Sequence, residues 1–242
     1  MIEILPVEGL PEIGEGDDLG TLIARVTALR DGDAVVIAQK AVSKAEGRVV
    51  ALASVEPSGR ARELAGPATD LRQLEVILSE TARIVRSRGG LVIAETRHGF
   101  VCASAGVDHS NAAVPDTVIL LPLDPDESAR RIRATLRDRS RVEVAVIVTD
   151  SFGRPFRKGT TDVAIGVAGL APLRDLRGSA DRAGAVLRST QIAVADEIAA
   201  AADLVRTGKA DGLPVVIVRG VAFEGDGAAT ELVIPADRDL FR

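Results

Sequence analysis

The sequence predicts an α+β fold in which mixed sheets pack against helices. Segments of strand and helix character are interleaved along the 242 residues, but they do not form regular strand–helix–strand units, which disfavours a simple doubly wound sheet. Three short runs, within residues 34–38, 141–150 and 214–219, are almost wholly apolar, as is typical of strands that are buried on both faces. A central sheet covered by helices is therefore expected.

The first half of the chain contains two predicted helices. Asp17 and Asp18 can cap an amphipathic helix that runs to Leu29. Apolar residues recur at helical spacing over residues 69–87, and Gly89-Gly90 ends this second helix. The strands predicted around these helices are residues 2–7, 34–38, 91–94, 99–103 and 118–123.

The second half begins with a helix over residues 124–139, whose acidic residues come first, as the helix dipole favours. A strand over residues 141–150 follows it. The glycine-punctuated stretch from there to Gly184 carries no predicted element. An alanine-rich helix over residues 190–206 and a strand over 214–219 complete the pattern.

Composition limits the class of protein. Hydrophobic residues make up 46% of the chain, enough for a sizeable core, and we expect a single domain over residues 1–242, with any subdomain boundary near 60–70 or 110–125. The formal charge of −5, the lack of Trp and Tyr and the five Phe disfavour a nucleic-acid partner. No apolar run is long enough to cross a membrane, and the N-terminus shows no export signal. A single cysteine, Cys102, fits a cytoplasmic location.

The clearest local feature that could carry chemistry is the strand that ends in Thr149-Asp150-Ser151 before Gly153. It places a carboxylate and a hydroxyl at the end of a buried strand, where α/β proteins commonly hold metal and phosphate, and these oxygens suit Mg²⁺ or Mn²⁺. The alternative is an aspartate that only caps the next turn. No Walker A or Rossmann glycine pattern accompanies this feature.

A second candidate lies in the loop from Ser104 to Asn111, where small residues precede Asp108. Taken alone it could be a plain polar turn. If the fold brings Asp108 close to Asp150, two carboxylates about 4 Å apart repel by roughly 4 kcal/mol at an effective dielectric constant near 20. Such a pair must share a proton or hold a cation, and a divalent metal would also neutralise bound phosphates.

Two further groups carry positive charge. Lys44, predicted to lie in a loop after the strand 34–38, could present its ammonium to a phosphate, or it could simply be exposed beside Glu46. Three cations follow Gly153, at Arg154, Arg157 and Lys158, and they suggest an anionic ligand or a solvated loop.

The same segments carry a family resemblance, in order along the chain. The matching segments are residues 5–7, 9–11, 16–19, 43–48 (Ser-Lys-Ala-Glu-Gly-Arg), 105–108 (Ala-Gly-Val-Asp) with 110–111, 149–154 (Thr-Asp-Ser-Phe-Gly-Arg), 193–199 and 214–220. Together they resemble the coenzyme F-420-0:γ-glutamyl ligase family. Each segment alone is weak evidence for the family, but the occurrence of all of them in this order is specific to it.

The resemblance implies a GTP-dependent ligase of the peptide-synthase type with its own α+β fold, acting as an intertwined homodimer. Such an enzyme joins L-glutamate to F-420-0 and then adds γ-linked glutamate to F-420-1. Mg²⁺ or Mn²⁺, two per site, and K⁺ are the ions it implies. By the same resemblance the metal ligands are Asp108, Asp150 and Ser151, and the catalytic residues are Asp108, Asp150 and Lys44. The GTP-binding residues it implies are Leu10, Pro11, Glu12, Ile13, Lys44 and Asn111, with the loop around Gly208–Gly212 as a further candidate.

The chain departs from the family pattern at two positions. Ser151 stands where Thr is commoner, which keeps the hydroxyl, and Gln39 stands where relatives often have a nucleotide-contacting Ser, so Gln39 is not assigned to the site. No second, nitroreductase-like domain is expected after residue 242. Two other functions remain open from the residues alone: a metal-dependent nucleotide phosphohydrolase or kinase, and a non-catalytic GTP-binding regulator.

Overall fold

The computed structural model describes residues 1–108, 115–206 and 212–240. The strands of these residues are β1 (Glu3–Pro6), β2 (Ala34–Ala38), β3 (Val49–Ala51), β4 (Thr81–Arg88), β5 (Leu91–Thr96), β6 (Val101–Ala103), β7 (Thr117–Ile119), β8 (Ala145–Gly153), β9 (Thr160–Ala168), β10 (Arg174–Asp175), β11 (Gln191–Ile192) and β12 (Val215–Arg219). The helices are α1 (Leu19–Val26), α2 (Gln39–Ala45), α3 (Gly59–Leu64), α4 (Leu71–Ser79), α5 (Pro125–Ser140) and α6 (Val194–Asp203). Short 3₁₀ turns lie at Leu52–Ser54, Ser104–Gly106 and Ala229–Leu232. The mixed α+β content agrees with the predicted class.

A five-stranded mixed sheet with the order β1-β12-β2-β8-β9 forms the centre of the fold. Only β2 and β8 run parallel among these neighbours, and the other pairs are antiparallel. Alternate residues of β2 point to opposite faces, so Val35 and Ile37 join a core with α1, α2 and α5, whereas Val36 joins a core with α6. Both faces are therefore covered, which explains why the three predicted central strands are almost continuously apolar.

A third core lies between residues 50 and 120. Its sheet has the order β4-β5-β6, and β3 pairs with β7 beside it. Leu74 and Ile77 of α4 pack there against Val92 and Ala94 of β5 and against Val118 of β7.

The predicted helix over 69–87 is wrong beyond residue 79. Helix α4 ends at Ser79, and residues 81–88 form β4, which pairs with β5 through the turn at Gly89 and Gly90. Both glycines have positive φ, +57° and +87°, as the tight turn of a β-hairpin requires. The glycine pair that suggests a helix end is therefore a hairpin turn.

The glycine-punctuated stretch after residue 150 contains a strand that the sequence pattern did not reveal. β9 pairs antiparallel with β8, so β8 starts at Ala145 and continues to Gly153 rather than ending at Asp150. Asp150 and Ser151 consequently lie within a paired strand. Lys44 likewise lies on α2 and not in a loop, because the helix begins directly after β2.

Smaller differences concern the ends of elements. The described helices α1 and α6 are shorter than their predicted counterparts over 17–29 and 190–206, and the strand predicted over 118–123 is limited to β7. Asp18 caps α1 as predicted, because its side chain accepts a hydrogen bond from the N–H of Thr21.

Candidate active site

A cavity of about 740 Å³ opens at the carboxyl ends of the parallel strands β2 and β8. Open α/β sheets commonly bind ligands at this position. The residues that line it are Leu10–Ile13, Ala38–Ala41, Lys44, Asp108, Thr149–Ser151, Thr160, Asp162, Asp203, Arg206 and Gly212–Pro214. The fold thus brings every described residue of the predicted site to one cavity, and Asn111 lies outside the described residues.

Helix α2 supplies two positive charges of the cavity, in addition to that of Arg206. Lys40 and Lys44 are four residues apart on this helix, so their side chains share one face. The Lys40 Nζ lies 2.7 Å from an Asp108 carboxylate oxygen, and the Lys44 Nζ lies 2.6 Å from a Glu12 carboxylate oxygen. These two ion pairs connect α2 to the two loops that carry predicted site residues.

The position of Asp108 is fixed by its backbone. Its N–H donates to the Ile119 carbonyl at 2.9 Å, and the Ile119 N–H donates to its carbonyl at 2.7 Å. The preceding turn contains Ala105 with φ +52° and Gly106 with φ +73°, and a Cβ on Gly106 would collide with the Leu121 side chain. This turn directs the chain so that Asp108 reaches the cavity.

Asp150 carries its charge in an unfavourable environment. Burial is the largest cause that raises the pKa of its carboxyl, the nearby carboxylates of Asp162 and Asp108 also raise it, and the Ser151 N–H and the Lys40 ammonium lower it. The net effect is a pKa of about 7. Asp108 and Asp150 line the same cavity, and the charge of Asp108 acts on Asp150. The cavity wall therefore has excess negative charge, which a bound cation would relieve.

The oxygen donors fit a divalent cation that is shared with a ligand. Asp108, Asp150 and Ser151 offer two carboxylates and a hydroxyl, the hard donors that Mg²⁺ and Mn²⁺ prefer. Within residues 1–108, 115–206 and 212–240, no group of three or more His, Cys, Asp or Glu side chains has a metal-binding arrangement. A site with two carboxylates leaves coordination positions for phosphate oxygens, as is usual for Mg²⁺ in nucleotide-dependent enzymes.

A buried network adjoins Ser151 and includes two residues that the sequence analysis missed. Asp162 on β9 is 4% exposed and accepts hydrogen bonds from the Ser151 hydroxyl at 2.6 Å and from the Thr149 hydroxyl at 3.0 Å. The Arg206 guanidinium donates to the Asp162 carboxylate at 2.7 Å. Asp162 was missed because β9 was not predicted, although the almost wholly apolar run over residues 163–168 is typical of a buried strand.

Gln39 also belongs to the cavity wall, although the sequence analysis left it out. Its side-chain N–H groups donate to the Ser43 hydroxyl and to the Leu120 carbonyl. Its Oε1 is buried and has no hydrogen-bond partner in the described part of the chain. Gln39 therefore offers an acceptor beside Lys40.

Other charged or reactive side chains lie outside the cavity. Arg154, Arg157 and Lys158 lie in the exposed turn between β8 and β9 and do not line the cavity. His98 is held by the Pro122 and Leu123 carbonyls and stacks on Phe100, so its role is structural. Burial raises the pKa of the Cys102 thiol to about 12, so this thiol is not a nucleophile at neutral pH.

Within the residues that the structure describes, no helix has both the length and the apolar character to span a bilayer.

The comparison with protein families matches residues 9–220 to the family described as "F420-0:Gamma-glutamyl ligase". The matched span contains every candidate ligand and every charged residue of the cavity.

Relatives that align over nearly their full lengths are named as ligases that act on the same coenzyme. The chain is 44% identical to the "Coenzyme F420:L-glutamate ligase" of Methanothermobacter thermautotrophicus, with 100% of this chain and 99% of that protein aligned. It is 46% identical to the protein of this name from Methanopyrus kandleri, over 100% and 97% of the two chains. For the Methanocaldococcus jannaschii protein the identity is 43%, over 95% and 92%. The chain belongs to the F-420-0:γ-glutamyl ligase family.

Proposed function

We propose that this protein is a GTP-dependent ligase that joins L-glutamate to coenzyme F-420-0 and then adds γ-linked glutamate to F-420-1. The observation that supports this most strongly is the single cavity in which Asp108, Asp150 and Ser151 face the ammonium groups of Lys40 and Lys44. Relatives that align over their full lengths are named for the ligation of glutamate to this coenzyme. Carboxylate oxygens can hold divalent cations, and neighbouring lysines can contact phosphates, so together they suit a nucleoside triphosphate with its cations.

The reaction needs activation, because a carboxylate and an amine do not condense in water at neutral pH. In the proposed mechanism a carboxylate oxygen of F-420-0 attacks the γ-phosphorus of GTP, and GDP leaves. The glutamate amine then attacks the acyl carbon of the resulting acyl phosphate, loses a proton and displaces phosphate. The described residues of the cavity include no Cys and no His, and no covalent enzyme intermediate is required.

The residues of the cavity have distinct roles in this mechanism. Asp108, Asp150 and Ser151 would hold the divalent cations, Mg²⁺ or Mn²⁺. When bound, these cations neutralise the charge that develops on the transferred phosphoryl group. Lys44 would exchange its exposed partner Glu12 for phosphate oxygens, and Leu10–Ile13 would contact the nucleotide.

Two further parts of the proposal come from the family resemblance alone. K⁺ is proposed as a monovalent cofactor without assigned residues. A homodimer is proposed as the functional unit, and light scattering coupled to size-exclusion chromatography should give about twice the chain mass of 25.2 kDa.

The activity is tested by incubating the purified protein with F-420-0, L-glutamate, GTP and Mn²⁺ and reading the product masses. We expect products that carry one or more glutamyl groups, formed with GDP, and little product with ATP. GTP turnover that does not depend on glutamate would favour a phosphohydrolase or kinase. GTP binding without any product would favour a regulator.

Replacing Lys44 with alanine is expected to weaken GTP binding. A hydrogen bond to a charged group contributes about 1.5–3 kcal/mol, which corresponds to roughly 10- to 150-fold in affinity. Glu12 is 74% exposed and stays hydrated when its partner is removed. Calorimetric titration with GTP and Mn²⁺ measures the effect, and Arg130→Ala, which removes an exposed cation of α5, is the matched control. Equal affinities of the two variants would exclude a phosphate contact by Lys44.

A further inference from the structure

The network around Asp162 connects the cavity to the interior of the sheet. Asp162 lies directly opposite Ser151 in the β8–β9 pair, and Thr149 is two residues away on the same face of β8. One Asp162 oxygen accepts from the Ser151 hydroxyl, and the other accepts from Thr149 and Arg206. Both oxygens of this buried carboxylate are therefore in use.

Arg206 holds this carboxylate in place. One guanidinium nitrogen donates to Asp162 at 2.7 Å and to the Thr149 hydroxyl at 2.9 Å, and the other donates to the Val36 carbonyl of β2 at 3.0 Å. The Arg206 and Asp162 side chains are 10% and 5% exposed. Arg206 thus ties Asp162 to the two parallel strands that form the base of the cavity.

Asp162 determines how Ser151 presents its hydroxyl. The Ser151 hydroxyl donates to an Asp162 carboxylate oxygen at 2.6 Å, so its proton points toward Asp162. The lone pairs of the Ser151 oxygen then remain for another partner. Ser151 is exposed at the cavity wall, so that partner can come from the cavity. Thr149 differs, because it is 1% exposed and its oxygen already accepts from Arg206.

We infer that Asp162, held by Arg206, is a positioning residue that makes the Ser151 hydroxyl a cation ligand by accepting its hydrogen bond. The inference rests on the metal site of the proposed function and assigns two residues beyond the metal ligands. Partners in the outer shell of metal sites commonly change metal affinity by 10- to 100-fold when they are replaced. Protein donors occupy both Asp162 oxygens, so in this role Asp162 acts through Ser151.

Asp162→Asn is the direct test. An asparagine amide has an oxygen that accepts and a nitrogen that donates, so its NH₂ group must face either Arg206 and Thr149 or Ser151. In the first orientation the NH₂ group opposes the donors of Arg206 and Thr149. In the second orientation it donates to Ser151 and occupies a lone pair of the hydroxyl oxygen. We expect a 10- to 100-fold weaker binding of Mn²⁺ alone, measured from the electron paramagnetic resonance signal of free Mn²⁺.

Asp33→Asn provides the matched control. Asp33 is also a fully buried carboxylate that an arginine, Arg219, binds at 2.7 Å, but it precedes β2 and lies at the opposite end of that strand from the cavity. Loss of stability from breaking a buried ion pair should be common to both variants, and loss of Mn²⁺ affinity should be confined to Asp162→Asn. Circular dichroism verifies that both are folded.

A double-mutant cycle separates action through Ser151 from a general structural effect. Asp162→Asn should weaken Mn²⁺ binding at least tenfold in the Ser151 protein, and less than about twofold in the Ser151→Ala protein, because the hydroxyl is then absent. Ser151→Thr should retain the affinity. If Asp162→Asn does not fold, Asp162→Glu, which keeps the charge but displaces the carboxylate, should show the same dependence on Ser151.

The outcomes distinguish this inference from the proposed function. Unchanged Mn²⁺ affinity in folded Asp162→Asn, equal losses in both Ser151 backgrounds, or no Mn²⁺ binding by the wild-type protein would overturn the positioning role. The proposed function fails on a different measurement, the absence of glutamylated product from F-420-0, glutamate and GTP.

Discussion

Asp150→Asn is expected to abolish glutamate ligation while the protein stays folded. The substitution keeps the shape of the side chain but removes a charge that would hold a divalent cation against the phosphates. Charge stabilisation of this kind contributes several kcal/mol to a phosphoryl-transfer transition state, so we expect a loss of at least about a hundredfold in turnover. Steady-state kinetics with saturating Mn²⁺ measure the effect, and near-normal turnover would exclude Asp150 as a ligand.

The stability of this variant provides its internal control. The pKa of Asp150 in the folded protein, about 7, lies above the ordinary value of 3.8, so folding favours the protonated form. The ionised carboxylate therefore costs stability, and this cost grows as the pH rises from about 4 to about 7. Asparagine carries no charge, so the metal-free variant should unfold at no lower urea concentration than the wild type at mildly alkaline pH, and the difference should vanish in acid. Asp138→Asn, at an exposed position on α5, should change neither activity nor stability.

The largest effect on stability is expected for Ile147→Ala. Ile147 has no exposed surface, and on β8 it pairs with Val36 of β2 and with Val167 of β9. Removing three buried carbon atoms from such a site costs about 2–5 kcal/mol, because the lost burial is combined with a cavity. For a chain of this size that corresponds to a melting temperature lower by roughly 4–20 °C.

Differential scanning calorimetry measures this change. Leu123→Ala is the control, since its side chain is 68% exposed and its removal should change stability by less than about 0.5 kcal/mol. A melting temperature of Ile147→Ala as high as that of the control would contradict the central position of β8 in the core.

The three middle strands of the central sheet, β12, β2 and β8, could be predicted because they are buried on both faces. Residues 34–38, 145–148 and 215–218 have almost no polar side chains, and only a covered sheet tolerates such runs. The hairpin of β4 and β5 could not be predicted in the same way. Residues 69–87 keep helical spacing across the point where the chain changes to a strand, and the pairing of β4 with β5 overrides that local pattern.

The candidate site was predicted in part. Asp108, Asp150 and Ser151 each follow or end a recognisable strand, so their residue types and positions indicated metal and phosphate chemistry. The buried partners Asp162 and Arg206 could not be predicted, because their role depends on the antiparallel pairing of β8 with β9 and on a contact between residues 44 positions apart. Such contacts leave no local periodicity in a single sequence.

The location of the nucleotide and its cations can be measured directly in crystals grown with Mn²⁺ and a non-hydrolysable GTP analogue. We expect anomalous scattering peaks for Mn²⁺ beside the carboxylates of Asp108 and Asp150 and the hydroxyl of Ser151, with the phosphates between these ions and Lys44. Mn²⁺ and nucleotide bound together at another surface, with this cavity empty, would contradict the assignment of the active site.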